Sequence, residues 1–162
     1  MRKGAAGFSL FELIMVIVIV GILAGLAVPR LSDVQTTTQA RGYVDGLLSS
    51  IRYAQKLAIS SECDTRVVAS NNGYEIRQWV VCTPTSHLST ADTLIQHPAT
   101  AAPMQATPTN GIAITGLFDF YFDKKGQPKQ VNNNSVISTP SVMTIADHTV
   151  TVEAFTGFAH AP

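Results

Sequence analysis

An almost unbroken apolar run from Phe8 to Val28, "FSLFELIMVIVIVGILAGLAV", constrains this chain more than any other stretch. As a helix its roughly 21 residues rise about 31 Å, close to the roughly 30 Å hydrocarbon thickness of a bilayer. Arg2 and Lys3 precede the run, a bias that keeps the short N-terminus cytoplasmic and sends the bulk of the chain across. One residue resists this reading. Glu12 lies inside the run, where a carboxylate costs about 2.5–3.5 kcal/mol at mid-membrane and less near the edge. A plain single-pass anchor has no use for it. Nor has a cleaved secretory signal, although Gly25-Leu26-Ala27 offers a passable small-x-small cut.

The segment "KGAAGFSLFE" resembles the processing site of type IV prepilins and type II secretion pseudopilins. Members of that family carry a short basic leader ending in Gly, then an apolar residue, usually Phe, and a Glu at the fifth position after the cut. The match continues through "GFSLFELIMVIVIVGILAGLAVP" to Pro29. The resemblance implies that prepilin peptidase cleaves after Gly7 and N-methylates Phe8. Residues 1–7 are then a leader, and 8–30 are retained as a transmembrane and fibre-core helix. The new amine on Phe8 stands one helical turn from Glu12. Within one chain or between neighbours, amine and carboxylate neutralise each other, and a paired buried charge is tolerable where a lone one is costly. Glu12 thereby becomes an assembly contact. The implied partners are the peptidase, other pilin or pseudopilin subunits through the N-terminal helix, and an inner-membrane assembly platform. The implied location is the inner membrane, with the C-terminal domain in the periplasm, and then a pilus or pseudopilus.

Gly21 and Gly25 form a G-x-x-x-G within the run. Glycine is common in membrane helices, so this is either background or a face for close helix packing. Pro29 kinks the helix or loosens its hydrogen bonding just past the apolar run.

Helical periodicity persists beyond Pro29. Leu31, Val34, Val44, Leu47, Leu48, Ile51, Ala54 and Ala58 fall near one stripe, with Asp33, Gln35, Gln39, Arg41, Asp45, Arg52 and Lys56 elsewhere. One helix is predicted from about Phe8 to Ser60, with 31–62 as its amphipathic half. Strands are predicted over 63–162. "TRVVASNNGYEIRQWVV" makes a hairpin about Asn72-Gly73, and "GIAITG", "LFDFYFDKKGQP" and "SVMTIADHTVTVEAF" add further strands, with Lys124-Lys125-Gly126 turning one hairpin. Residues 83–110, rich in Thr, Ala and Pro, read as a long irregular loop. The expected class is α+β, a long helix laid on an antiparallel sheet, which is also the pilin fold that the resemblance implies. "IRYAQKLAISSECDTRVV", "FDKKGQP" and "TVTVEAFTGF" are similar to segments of minor pilins and minor pseudopilins.

Cys63 and Cys82 are the two cysteines. In a periplasmic setting they read as a disulfide, closing a loop of roughly 20 residues worth about 3 kcal/mol. A metal site is the rival reading, weakened by the lack of a CxxC spacing or a nearby His pair.

No catalytic set emerges, and no cofactor is implied. His87 and His97 fall in the polar loop and His160 in the tail, while His148 follows Asp147 directly, so that on one strand the two side chains take opposite faces. There is no G-x-S-x-G elbow, P-loop or dinucleotide fingerprint. Asp119 and Asp123, with Asp92 distant, lack a calcium-loop spacing. Eleven basic residues balance eleven acidic ones, and Lys124, Lys125 and Lys129 alone make a poor nucleic-acid surface. Trp79 and Tyr121 are either core aromatics or exposed adhesive ones. The leading expectation is a minor type IV pilin-like structural subunit that helps initiate or modify fibre assembly. The alternative is a fibre-displayed binding module, an adhesin or DNA-uptake receptor; an anchored periplasmic enzyme is disfavoured.

Overall fold

The computed structural model describes residues 9–79, 82, 92–109 and 111–162, with backbone alone for 26–33. Helix α1 runs Leu10–Ser61, so the single long helix forms, one residue longer at its C-terminal end than expected; Phe8 lies outside the described residues. The chain divides into two compact units, Met1–Thr37 and Thr38–Pro162.

In the second unit α1 buries Ala40, Val44, Leu47, Leu48, Ile51, Ala54 and Ala58. These positions recur at three and four residues, the spacing of one helical face. Val34, expected in the same stripe, is 63% exposed; the side chain of Leu31 lies outside the described residues.

Two antiparallel sheets complete this unit. The first contains β1 (Thr65–Ser70), β2 (Gly73–Trp79), β3 (Asp92–Leu94), β6 (Phe118–Phe122) and β7 (Pro128–Gln130) in the order β3-β2-β1-β6-β7, with β4 (Gln105–Ala106) also on β2. The second runs β10-β9-β8-β5, from β5 (Ile114–Thr115), β8 (Ser141–Ile145), β9 (His148–Val152) and β10 (Ala159–His160). The architecture is α+β, as expected. Alternation along the strands places Val67, Ala69, Ile76, Phe118, Phe120, Phe122, Met143, Ile145, Val150 and Val152 in one core with the α1 stripe. The three phenylalanines of β6 stack edge to face along the strand, with centroids 6.0 and 5.3 Å apart.

The structure corrects three local expectations. The first hairpin turns at Asn71-Asn72, and Gly73 is the first residue of β2, paired with Ser70. "SVMTIADHTVTVEAF" folds as a hairpin, with β8 and β9 meeting at Ala146-Asp147. The segment expected as an irregular 83–110 loop contains β3 and β4, both laid on the outer edge of β2. Its Thr, Ala and Pro content hides strands of only two or three residues, too short to show alternation.

Candidate assembly surface

In the first unit the start of α1 is set locally. The Ser9 hydroxyl accepts the Phe11 N–H at 3.3 Å, and the Ser9 carbonyl accepts the Leu13 N–H at 3.2 Å. Ser9 is therefore the N-cap, and Glu12, in the first turn, stands at the third helical position. The sequence "SLFE" is a capping-box pattern, Ser-x-x-Glu. That signal was legible in the chain and gives Glu12 a second local reason, because a carboxylate near a helix N-terminus complements the helix dipole.

Beyond the cap the helix is apolar on every side. Large hydrophobic side chains from Leu10 to Leu23 are 47–77% exposed. Burying each is worth about 1.5–3 kcal/mol, so the segment calls for lipid or other apolar helices as cover. Gly21 and Gly25 are one turn apart, and a Cβ built on either meets nothing within 4 Å. They leave a shallow notch on the surface rather than a contact within the chain. Among the described residues no helix is long and apolar enough to cross a membrane. The described side chains of this stretch, Leu10–Gly25, rise only about 24 Å against a core of roughly 30 Å, and the sequence run continues into the residues of backbone alone. Gly7 and Phe8 lie outside the described residues, and Pro29 falls inside α1 with its side chain undescribed.

In the second unit, Cys63 and Cys82 form the disulfide, with Cα atoms 4.9 Å apart. It ties the chain just past the end of α1 to the chain just past the end of β2. Trp79 and Tyr121 pack beside it with centroids 5.6 Å apart, and both are buried, so they belong to the core. The Tyr121 hydroxyl bonds to Asn134 Oδ1, and burial above all pushes the phenol's pKa up.

The outer face of the first sheet carries a ladder of charges. Arg66 grips Asp119 with Nε to Oδ1 at 2.8 Å and Nη2 to Oδ2 at 3.0 Å, and reaches Asp92 Oδ2 at 3.5 Å. Arg77 grips Glu75 at 2.8 and 3.1 Å and touches Asp92 Oδ1 at 3.4 Å. These bonds, to Asp119 first for Arg66 and to Glu75 first for Arg77, raise both guanidinium pKa values. Asp92, expected to be remote from Asp119, is thus joined to it through one arginine. Asp123 instead organises its own turn, accepting the Lys125 and Gln127 N–H groups at 2.9 Å each and pairing with Lys129 at 3.2 Å.

The histidines do not converge. His160 pairs with Glu153 at 2.9 Å and stacks on Phe158, and His97 Nδ1 accepts the Ala99 N–H. Asp147 sits in the turn and His148 begins β9, so the two do not share one strand as expected. His87 lies outside the described residues. Among the described residues no group of three or more His, Cys, Asp or Glu side chains is placed to hold a metal.

A capped, exposed apolar helix in the same chain as a disulfide-tied β-rich unit is the pattern of a protein whose apolar segment takes lipid or other helices as cover. Comparison with known proteins narrows the class. Residues 2–28 match the family described as the prokaryotic N-terminal methylation motif. The chain is 47% identical over 55 residues to the type IV narrow pilus major component PilA5 of Thermus thermophilus, a match covering 33% of this chain and 46% of that protein. The chain thus spans about half the length of this relative. Two structures of the minor pseudopilin EpsH from the type II secretion system of Vibrio cholerae share the fold. Their TM-scores are 0.54 and 0.53 at 14% and 13% identity, each covering 76% of this chain and 96% or 93% of the other. The chain thus carries the N-terminal methylation motif, is similar in part to a type IV pilin, and shares its fold with a minor pseudopilin.

Proposed function

We propose that this chain is a structural rather than catalytic subunit of a type IV pilus or pseudopilus, of the minor kind that starts or modifies assembly. Prepilin peptidase removes residues 1–7 and methylates the new N-terminus at Phe8. The helix of residues 8–30 holds the subunit in the inner membrane with its β-rich domain in the periplasm. Other subunits then replace lipid as its apolar cover when the assembly platform extracts it into the fibre. The observation that carries this reading is the exposed apolar surface of Leu10–Leu23 with Glu12 in its first turn. In the fibre the Glu12 carboxylate takes the Phe8 amine as its partner, within one chain or from a neighbour, which removes the cost of burying either charge alone. Gly21 and Gly25 give a neighbouring helix room for close approach.

Sequencing and mass measurement of the N-terminus of the protein purified from its native membranes test the reading. A start at methylated Phe8 supports it; a start at Val28 or at intact Met1 overturns it. A second reading, a major shaft subunit, draws on the relative named as a major pilus component. Counting fibres in a deletion strain separates the two. Complete loss of the shaft protein from the cell surface marks a major subunit, and a changed fibre number with the shaft protein retained marks a minor one.

A further inference from the structure

The charged ladder on the outer face of the first sheet ends, beside the β1–β2 hairpin, in a groove of about 480 Å³. Strand register explains its shape. Val68 of β1 pairs with Glu75 of β2, which pairs with Gln105 of β4. Residues directly opposite on neighbouring strands share a face, so these three side chains stand in one row. In the next row Ser70 pairs with Gly73, which lies against Thr107, whose Cα is 3.2 Å from where a glycine Cβ would stand. The middle of that row has no side chain, and the chain at Ala106 and Thr107 closes over it. Gly73 is held at φ +137, and a Cβ there would fall 2.4 Å from the Ala106 carbonyl oxygen. The glycine thus lets β4 close on β2, and the groove is lined by the side chains around that contact.

The wall chemistry narrows what fits. Hydroxyls (Ser70, Thr107), amides (Asn72, Gln105) and a carboxylate (Glu75) line the groove, with Val68 and Tyr74 beside them. Among the described residues no lysine or arginine lines it, so a phosphate or carboxylate ligand would find no countercharge. The charge of Glu75 is already matched by Arg77 at 2.8 and 3.1 Å, so a free cation gains little. That leaves a neutral ligand with several hydroxyls around its rim and a C–H face for a small apolar contact.

We propose that this groove binds a neutral saccharide unit, its hydroxyls held by Ser70, Glu75, Gln105 and Thr107 along the groove beside Gly73. The site stands apart from the fibre reading, since it needs neither processing at Gly7 nor assembly. It would make the subunit's head a recognition surface.

The test is an amide-resonance titration of the full chain in a detergent without a sugar headgroup. Lactose, cellobiose and chitobiose are each added to about 10 mM, the range suited to a shallow site of millimolar affinity, with sodium phosphate as the charged probe. Saturable shifts at Ser70, Gly73, Glu75, Gln105 and Thr107 with at least one disaccharide, and none with phosphate, support the proposal. Gln105→Ala and Thr107→Ala should each weaken that binding about fivefold, the worth of one hydrogen bond, and both side chains are exposed enough to be cut without unfolding the head. The proposal is overturned if no disaccharide moves these amides, if phosphate moves them equally, or if both variants bind as the parent does while the remaining amide spectrum is unchanged.

Discussion

The Ser9 hydroxyl accepts the Phe11 amide at 3.3 Å, which makes Ser9 the cap of α1 and sets Glu12 at the capping-box position. Glu12 therefore holds a place in the cap, separable by mutation from the contact between subunits proposed for it. Gln serves a capping box as well as Glu does but carries no charge. We expect Glu12→Gln and Glu12→Ala both to be cleaved after Gly7 and both to incorporate poorly into fibres. Ser9→Ala, which loses about 1 kcal/mol of cap but keeps the carboxylate, should incorporate nearly as the parent does. Immunoblots of sheared fibres and membranes measure this, and normal incorporation of Glu12→Gln would sink the charge-pairing role.

The disulfide closes beside the chain's single tryptophan: Cys63 Sγ lies 3.3 Å from the Trp79 carbonyl oxygen. A disulfide quenches nearby indole emission by accepting an electron. Reduction should therefore brighten Trp79 before any thermal unfolding. Cys63→Ser with Cys82→Ser should cost about 3 kcal/mol in the chain-entropy account and lower the melting midpoint by about 10 °C. An unchanged midpoint would mean that the reduced unfolded chain is already as restricted as the bridged one.

Phe155 sits at φ 60 with the residue 58% exposed. A bulky side chain in this left-handed region is strained by about 1–3 kcal/mol, and an exposed ring recovers little of that. Phe155→Gly is expected to raise stability by about 1 kcal/mol in denaturant unfolding. Phe155→Ala, which keeps a Cβ, should not. Equal behaviour of the two variants would show that the backbone there carries no strain.

Arg66 is expected to matter more than a surface ion pair, because it joins two acidic residues from separate strands. Asp92 has only 8% of its side chain exposed. Arg66→Met leaves it one guanidinium contact, with Arg77 at 3.4 Å. Stranding a buried charge costs about 3–5 kcal/mol when its partner is lost outright; with Arg77 retained, the loss should be about 2 kcal/mol. Hydrogen exchange should rise first at Thr93 and Leu94 of β3.

Burial first, and then Tyr74, push the Tyr43 phenol up to about 12 from 10. The folded protein therefore holds that proton more tightly than the unfolded chain does. Stability is whole below pH 10 and declines as pH climbs from 10 toward 12. Tyr121 shifts the same way, also chiefly by burial. Tyr43→Phe should flatten part of this alkaline decline in denaturant midpoints, and an unaltered profile would assign the decline elsewhere.

The readability of the chain follows distance along it. The long helix, the α+β class and the Lys124-Lys125-Gly126 turn were legible because each rests on periodicity, hydropathy or turn chemistry within a few residues, and the Cys63–Cys82 pair because the sequence holds just two cysteines. Gly73 was read as part of a turn, since Asn-Gly is the strongest short hairpin signal. Its actual task is to admit the Ala106 carbonyl, a partner far along the chain that no local pattern reveals. The strands β3 and β4 were missed for the same reason: two or three residues carry no alternation of their own and become strands only because β2 offers them an edge.

By itself, then, the amino-acid order determined the apolar helix and the methylation motif over residues 2–28. These are properties of one continuous segment, and their physics is short-ranged. Only the tertiary structure decided that Trp79 and Tyr121 are core, that Arg66 joins Asp92 to Asp119, and that Gly73 admits the Ala106 carbonyl beside a groove. Each of those depends on cross-strand register, in which a shift of a single residue would turn every side chain to the other face of the sheet.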